Sequence, residues 1–571
     1  MAASVYPELS RRASGWLKFL WDKATAPDDW SYFGTPNPWW DNISNPPTEL
    51  FGRFDLNRST YSMGIMCDQT PAWREVYARI CSELIERHTG YWASIDWSEQ
   101  IGYDPRQADY NNPQYQRFAH LYERFMPPHL RGQYDTAGWV AQGVPPWGLQ
   151  PDPVGSTGNF FFRGFFGTML SIYSYVSRDG RWEQPFNIAG YKNQQFEWTH
   201  SGIAQFTSDQ WREFPWGPHC ENTKVWPYCL AHGGLGLQLY DAAHGTDTHS
   251  AAQEWMGYCK KNYMSVASTG KLEWFALFYD PLINHVQTLP PMGGLAPAWF
   301  MLPQDRDLAL YVYEAAMADS GWNDPRQPIP KHAPNDPRMI TFALLHANEF
   351  GDVTGQERLR EYAESHFGPR FFGDDDDRFG WWFGFDDEKY PRGQWNAMMM
   401  LSEVSKPDSW FNLFARPNFA KFDEPTVEGV DFPTFGLSQA WNDLKVGMLA
   451  VRTYGGPARL GETTTFSITQ LPDPAAVFVR CDGETFEQWE ITGPDSIRIT
   501  TTIGTHRFQI YTGYHGGKPK PKEARQDKAP KPSKLIRQAK PAVVAPPVSG
   551  SSMPPPKQVM VPLSTGGCPC C

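Results

Sequence analysis

Residues 51–414 read as helix-length apolar stretches joined by loops marked with Pro and Gly, without a strand–helix–strand alternation. A doubly wound parallel sheet needs that alternation, so it is disfavoured. In residues 72–88, Val76, Ile80 and Leu84 share one helical face and the charged residues take the other. Thr70-Pro71 ahead of them suits a cap and a first-turn proline. Residues 160–176 are almost wholly apolar and aromatic, the pattern of a helix buried on most sides. Helical stretches continue at 228–243, 251–266, 306–318, 339–350, 357–367 and 393–404. Many helices of similar length around an apolar centre predict a mainly-α body over residues 51–440, an α/α toroid or another array of helical hairpins.

The flanks differ from this body. Residues 1–50 begin with an amphipathic stretch at 9–23 and continue as an irregular Trp-, Pro- and Asp-rich segment, expected to pack on the body. Residues 441–514 alternate apolar and polar positions between Gly-Gly, Pro-Asp-Pro, Asp-Gly and Gly-Pro-Asp turns. They predict six short strands in a small antiparallel β accessory unit. Residues 515–571 are rich in Lys and Pro and should be disordered. From Lys518 to Lys540, nine Lys or Arg face only Glu523 and Asp527, a local charge of +7 on a chain of net −12.

Composition narrows the function classes. The aromatic share is 15%, with 25 Trp, which suits a large core or an aromatic-lined cavity. The net charge of −12 argues against a nucleic-acid partner. Three of the nine cysteines crowd the C-terminus and the other six are scattered, which is no disulfide framework. The N-terminus shows no secretory h-region, and no apolar run approaches the roughly 20 residues of a membrane span. These features predict a cytoplasmic body with reduced thiols. The tail ends Cys568-Pro-Cys570-Cys571, similar to the double-cysteine ends that carry prenyl groups. Lipid on Cys570 and Cys571 beside a polybasic stretch would supply the two signals that stable membrane attachment needs. The alternative is a disordered tail whose cysteines bind metal or nothing.

Residues 217–247 hold the chemistry-bearing pair Cys220 and Cys229, nine residues apart. Two buried core thiols are one reading. A zinc site using Cys220, Cys229 and His232, with His219 nearby, lacks a clear fourth ligand. The third reading is acid/base work: one thiol donates a proton to a leaving hydroxyl while a thiolate removes a carbon-bound proton. Elsewhere, Asp374 to Asp377 fits acidic metal or protonation boxes of terpene cyclases, but so would almost any run of four aspartates, and a solvated acidic turn is the favoured reading.

The flanks of the cysteines separate these readings. Cys220-Glu221, Cys229, Tyr240-Asp241 and His244-Gly245-Thr246-Asp247 together resemble the signature of the linalool dehydratase/isomerase family. Asn159, Gly164, Met169, Tyr173, Tyr61-Ser62 and residues 341–352 extend the similarity. The resemblance implies an (α/α)6-barrel with an aromatic-lined cavity and neither metal nor organic cofactor. It implies reversible dehydration and allylic isomerisation of a terpene alcohol, and it allows a homo-oligomer with shared sites. Cys220 and Cys229 inherit the acid/base roles, and Tyr61 matches a tyrosine that a neighbouring subunit contributes. Asp41 and Asp55 are the candidates for the family's aspartate. Phe161 falls where the family has a substrate-lining methionine, and Phe165 where it has a histidine. Glu221 and Trp226 join them as candidate substrate-binding residues. A phenyl ring cannot exchange a proton, but it can face a developing carbocation. The expected activity is therefore cofactor-independent dehydration, isomerisation or cyclisation of a terpenoid or polyketide-like lipid alcohol. A terpene cyclase using Asp374 to Asp377, or a membrane-tethered lipid-binding scaffold, are the rivals.

Overall fold

The structure, a computed structural model, describes residues 6–27, 52–95, 150–220, 224–281, 284–329, 337–384, 386, 389–391, 393–516 and 559–560. It opens with helices α1 (Arg11–Thr25), α2 (Gly52–Gln69), α3 (Glu75–Thr89), α4 (Tyr91–Ile95) and α5 (Phe160–Ser177). A hairpin of β1 (Phe186–Ala189) and β2 (Gln195–Trp198) leads to α6 (His200–Glu213), α7 (Pro227–His244) and α8 (Ser250–Asn262). Strands β3 (Met264–Val266), β4 (Leu272–Asp280) and β5 (His285–Leu289) form an antiparallel meander. Helices α9 (Leu295–Met301), α10 (Arg306–Ser320), α11 (Arg338–Phe350) and α12 (Val353–His366) follow. The hairpin of β6 (Pro369–Phe372) and β7 (Arg378–Trp381) then precedes α13 (Gly393–Val404) and α14 (Ser409–Ala415).

The remainder is a two-sheet β unit. Its strands are β8 (Thr426–Glu428), β9 (Phe435–Asp443), β10 (Met448–Gly455), β11 (Thr463–Thr469), β12 (Phe478–Cys481), β13 (Glu484–Thr485), β14 (Trp489–Gly493), β15 (Ser496–Thr502) and β16 (Arg507–Tyr511). One sheet runs β13-β12-β16-β10-β9 and the other β14-β15-β11-β8. They face each other through Phe466, whose ring lies 5.5 Å from Phe508 and 6.3 Å from Phe435. In β11 the inward Thr464, Phe466 and Ile468 alternate with outward residues, the period of a half-buried strand. The unit is stitched to the helices through backbone: Leu9 N–H donates to Ser438 O at 2.8 Å, and Val427 N–H to Ala72 O at 2.7 Å. Val559–Met560 lies parallel to β5; the rest of the Lys-rich tail, including Cys568, Cys570 and Cys571, falls outside the described residues.

The expectation of a mainly-α (α/α)6-barrel toroid with one small β unit does not hold. About 48% of the structure is helical and 21% is strand, spread over five sheets. The extra strands escape a periodicity reading for a physical reason. Strand β4, LEWFALFYD, is buried on both faces except at Glu273, so its side chains do not alternate and it reads like a buried helix. The stretch 251–266, expected to be one helix, stops at Asn262 and turns into β3.

Two features of the helical body set up its centre. Helices α5 and α7 approach closely along glycines: a Cβ on Gly164 would stand 3.0 Å from Gly233 Cα, and one on Gly236 2.9 Å from Thr168 N. Thr168 Oγ1 and Ser171 Oγ donate across this seam to the carbonyls of His232 (3.2 Å) and Gly236 (2.8 Å). Helix α2 lies in the interior, with Arg53, Asp55, Asn57, Arg58, Ser59 and Thr60 all buried beside Phe54, Leu56 and Tyr61. Buried polar groups at that density need internal partners, and those partners build the candidate site.

Candidate functional site

Cys220 and Cys229 are both fully buried. Cys220 is held by backbone: its N–H donates to Lys224 O at 2.7 Å, and Val225 exchanges 2.8 Å bonds with Tyr279 of β4. His219 O accepts from Phe160 N–H at 3.0 Å, tying the same loop to the start of α5. Cys229 follows in the first turn of α7, where Pro227 occupies an N-terminal position that needs no donor. Trp226 caps that helix, and its ring packs 5.1 Å from Phe278. Glu221 lies outside the described residues.

A buried guanidinium stands beside the first thiol. Arg163, one turn into α5, donates to Val154 O (2.7 Å) and Ser156 O (3.0 Å) and lies over the Phe206 ring at 4.7 Å. Burial brings Arg163 down to about 9, and the Cys220 and Asp152 charges oppose that fall. Charge on the Cys220 sulfur and charge on Arg163 therefore support each other.

The second half of the site is an aromatic cluster around Tyr61 and His232. The Phe165 ring stands edge to face on His232 at 4.1 Å and lies 6.1 Å from Tyr228. Phe54 joins Phe161 and Phe165 at 6.4 and 5.7 Å. Phe300 contacts His232 and Tyr228 at 4.6 and 5.1 Å, and Trp410 lies 5.5 Å from Tyr61. Arg58 sits among the rings of Phe54, Tyr228 and Trp395 and donates to the Tyr228 hydroxyl. Tyr61 thus meets residues of its own chain.

Hydrogen bonding fixes the tautomer of His232. Asn57 Nδ2 donates to Phe165 O at 2.7 Å, which leaves Asn57 Oδ1 as an acceptor. Tyr61 Oη contacts both Asn57 Oδ1 and His232 Nε2. With one proton to give, the phenol donates to Asn57 and accepts from His232. His232 then carries its proton on Nε2, and its Nδ1 lone pair faces Thr168 Oγ1 at 3.4 Å. Burial first, and the Arg58 charge second, hold His232 far below the usual imidazole range, so the ring is neutral. Burial raises the Tyr61 phenol well above its ordinary value, with Arg58 opposing.

The other predicted residues are placed differently. Asp55 forms a buried ion pair with Lys23 of α1, Oδ2 to Nζ 2.5 Å. That pairing makes Asp55 a link between two helices. Asp41, the other candidate aspartate, lies outside the described residues, as do Cys570 and Cys571. Asp374, Asp375 and Asp376 are exposed in the turn between β6 and β7, while Asp377 pairs with Lys18 at 2.8 Å.

The later part of the cysteine signature is structural. The Asp241 carboxylate accepts from Thr248 N (2.9 Å) and His249 N (2.7 Å), closing the turn from α7 to α8. Gly245 terminates α7 at φ 67°, a left-handed cap that favours glycine. His244 Nε2 and His200 Nδ1 share the Glu183 carboxylate at 3.2 and 2.8 Å. Burial pushes that carboxyl up, but the two histidines prevail and hold it well below the usual carboxylate range. Ser171 Oγ lies 3.2 Å from His200 Nε2, completing a Ser–His–Glu order. Its proton already goes to Gly236 O within a helix interior, so this relay ties α5, α6 and α7 together.

Sequence reasoning missed His232 as a site residue and Arg58 altogether. His232 lies three residues after Cys229 and four after Tyr228 on α7, a helical spacing that places it one turn below Tyr228. Only its contact with Phe165, across the α5–α7 seam, reveals what it faces.

The helical body thus buries two cysteines, the first interacting electrostatically with Arg163, and an aromatic cluster around Tyr61 and His232. Residues 145–374 match the model of the linalool dehydratase/isomerase family, which supports the resemblance read from the cysteine signature. The matched segment contains Cys220, Cys229, Phe161, Phe165 and His232, and excludes α1, α2 and the β unit. That family is one of dehydratase/isomerases, and the match is consistent with an enzyme. Among solved structures, the chain is similar to a β-L-arabinofuranosidase of glycoside hydrolase family 127 from Geobacillus stearothermophilus T6. That likeness has 8% identity over 88% of this chain and 75% of the other, with a TM-score of 0.21, too low to carry an argument.

Proposed function

We propose that the protein is an acid/base dehydratase/isomerase of a terpenoid or related apolar alcohol, with Cys220 and Cys229 as its proton-exchanging pair. The observation that carries this reading is the presence of both thiols, fully buried, in the family-matched segment. In dehydration, a protonated thiol delivers its proton to the leaving hydroxyl, water departs, and a thiolate removes a proton from the adjacent carbon. In isomerisation, water returns at the far end of the allylic system. The Arg163 and Cys220 charges favour each other, which supports reading Cys220 as the base and Cys229 as the acid. The Phe165 ring supplies a negative π-face for the allylic cation that forms when water leaves, while Phe54 and Phe161 already lie against the Arg53 guanidinium at 4.6 and 4.3 Å. His232 takes the place beside Phe165 that a proton-exchanging group would need, and Tyr61 holds it in one tautomer.

The test is incubation of the full-length protein with linalool and longer terpene alcohols, followed by gas chromatography with mass spectrometry. The expected products are the dehydrated hydrocarbon and the allylic isomer. Cys220→Ala and Cys229→Ala, checked for folding by circular dichroism, should each lose turnover by at least about a hundredfold, within the usual range for acid/base groups. Folded cysteine variants that turn over substrate as the wild type does would remove the thiols from the mechanism.

A further inference from the structure

Outside the helical body, the β unit brings Cys481, Asp482 and His506 to one corner. Cys481 ends β12, Asp482 begins the turn into β13, and His506 immediately precedes β16, the strand paired with β12. One ligand atom from each residue lies within 4.8 Å of the other two. Cys481 Sγ is 3.6 Å from Asp482 Oδ2, and His506 Nδ1 is 3.1 Å from the same oxygen. A tetrahedral ion with bonds of roughly 2.0 to 2.3 Å has ligand–ligand edges of about 3.3 to 3.7 Å. The corner is therefore close to that size without rearrangement.

Each ligand is also aimed. Asp482 adopts φ 51° and Gly483 φ 94°, the left-handed pair of a tight hairpin turn that Asp-Gly favours. Asp482 Oδ1 accepts from Arg507 N–H at 2.9 Å, leaving Oδ2 toward the sulfur and the imidazole. On His506, Nε2 lies 3.1 Å from Thr502 Oγ1, and the backbone N–H donates to Thr453 Oγ1 at 2.9 Å. An Nε2–H given to Thr502 puts the lone pair on Nδ1, the atom that faces Asp482. This is the outer-shell arrangement that orients metal-ligating histidines.

We infer that Cys481, Asp482 and His506 form a site for a zinc-type divalent ion, with solvent completing the coordination on the Asp482 side. A sulfur–nitrogen–oxygen donor set selects zinc and similar late first-row ions over Mg²⁺ or Ca²⁺. Metal binding replaces the proton of the Cys481 thiol, which leaves to solvent. Such an ion would fasten β12 to the start of β16.

Cobalt(II) tests this in the full-length protein, with Cys568, Cys570 and Cys571 changed to Ser to silence the tail thiols. One equivalent should give a near-ultraviolet sulfur-to-cobalt band and visible tetrahedral bands, both erased by Zn²⁺. Cys481→Ser should abolish the sulfur band, and His506→Ala should weaken Co²⁺ binding. Thr502→Ala keeps every ligand and should weaken binding roughly tenfold or more, at the lower end for an outer-shell loss. Zn²⁺ should raise the melting temperature of the parent and not of Cys481→Ser. Failure to develop the band in the parent, or a band unchanged in Cys481→Ser and His506→Ala, overturns the assignment.

Discussion

The Phe165 ring meets the His232 ring edge to face at 4.1 Å, so the position to which the resemblance assigns a family histidine holds a phenyl ring with a neutral imidazole directly against it. The imidazole at this place comes from α7, across the glycine seam. This makes Phe165→His an informative substitution. It would restore an imidazole on α5 next to His232 and should raise the fraction of dehydrated product relative to isomerised alcohol, read by gas chromatography.

Tyr61→Phe removes the hydroxyl that satisfies both Asn57 Oδ1 and His232 Nε2. Two buried polar atoms lose this partner, which should destabilise the fold by about 1–3 kcal/mol. Urea unfolding measures it; a loss near zero would mean that the Tyr61 hydroxyl is not shared as described.

Asp55 and Lys23 give a prediction of opposite sign for single and double changes. Asp55→Leu alone leaves a buried ammonium without this carboxylate and should cost about 3–5 kcal/mol. Asp55→Leu combined with Lys23→Met should recover most of that loss. If Asp55 instead served the reaction, the double variant would be stable and inactive, so stability and turnover are measured together.

Glu349 caps α14, accepting from Trp410 N at 3.0 Å and Phe411 N at 2.7 Å. Burial raises its carboxyl to about 7 from 4.5. The folded protein therefore holds a proton there that the unfolded chain releases earlier. This contribution is complete below pH 4.5 and is lost as pH rises through about 7, on the order of 3 kcal/mol. Denaturation of Glu349→Gln across that window should show a flatter profile than the wild type.

Gly236→Ala tests the α5–α7 seam. Alanine is the better helix former by about 1 kcal/mol, yet its Cβ would stand 2.9 Å from the Thr168 backbone nitrogen. Overpacking should prevail and lower stability by about 1–3 kcal/mol, visible as a lower melting temperature.

The sequence by itself determined the amphipathic and all-apolar helices, since α3, α5, α7, α10 and α11 declare themselves by period, caps and length. It also carried the family likeness that the match over residues 145–374 supports, because Cys220, Cys229 and the turn around Asp241 are local in the chain. Helix α2 stayed hidden because its arginines, Asp55 and Asn57 are buried inside the body, which erases the polar face that marks a helix. Strand β4 stayed hidden because both its faces are covered. Tertiary structure alone decided that Asp55 pairs with Lys23 and that His232 meets Phe165 and Tyr61. Those contacts join residues far apart in sequence, and their chemistry depends on burial, which no local pattern encodes.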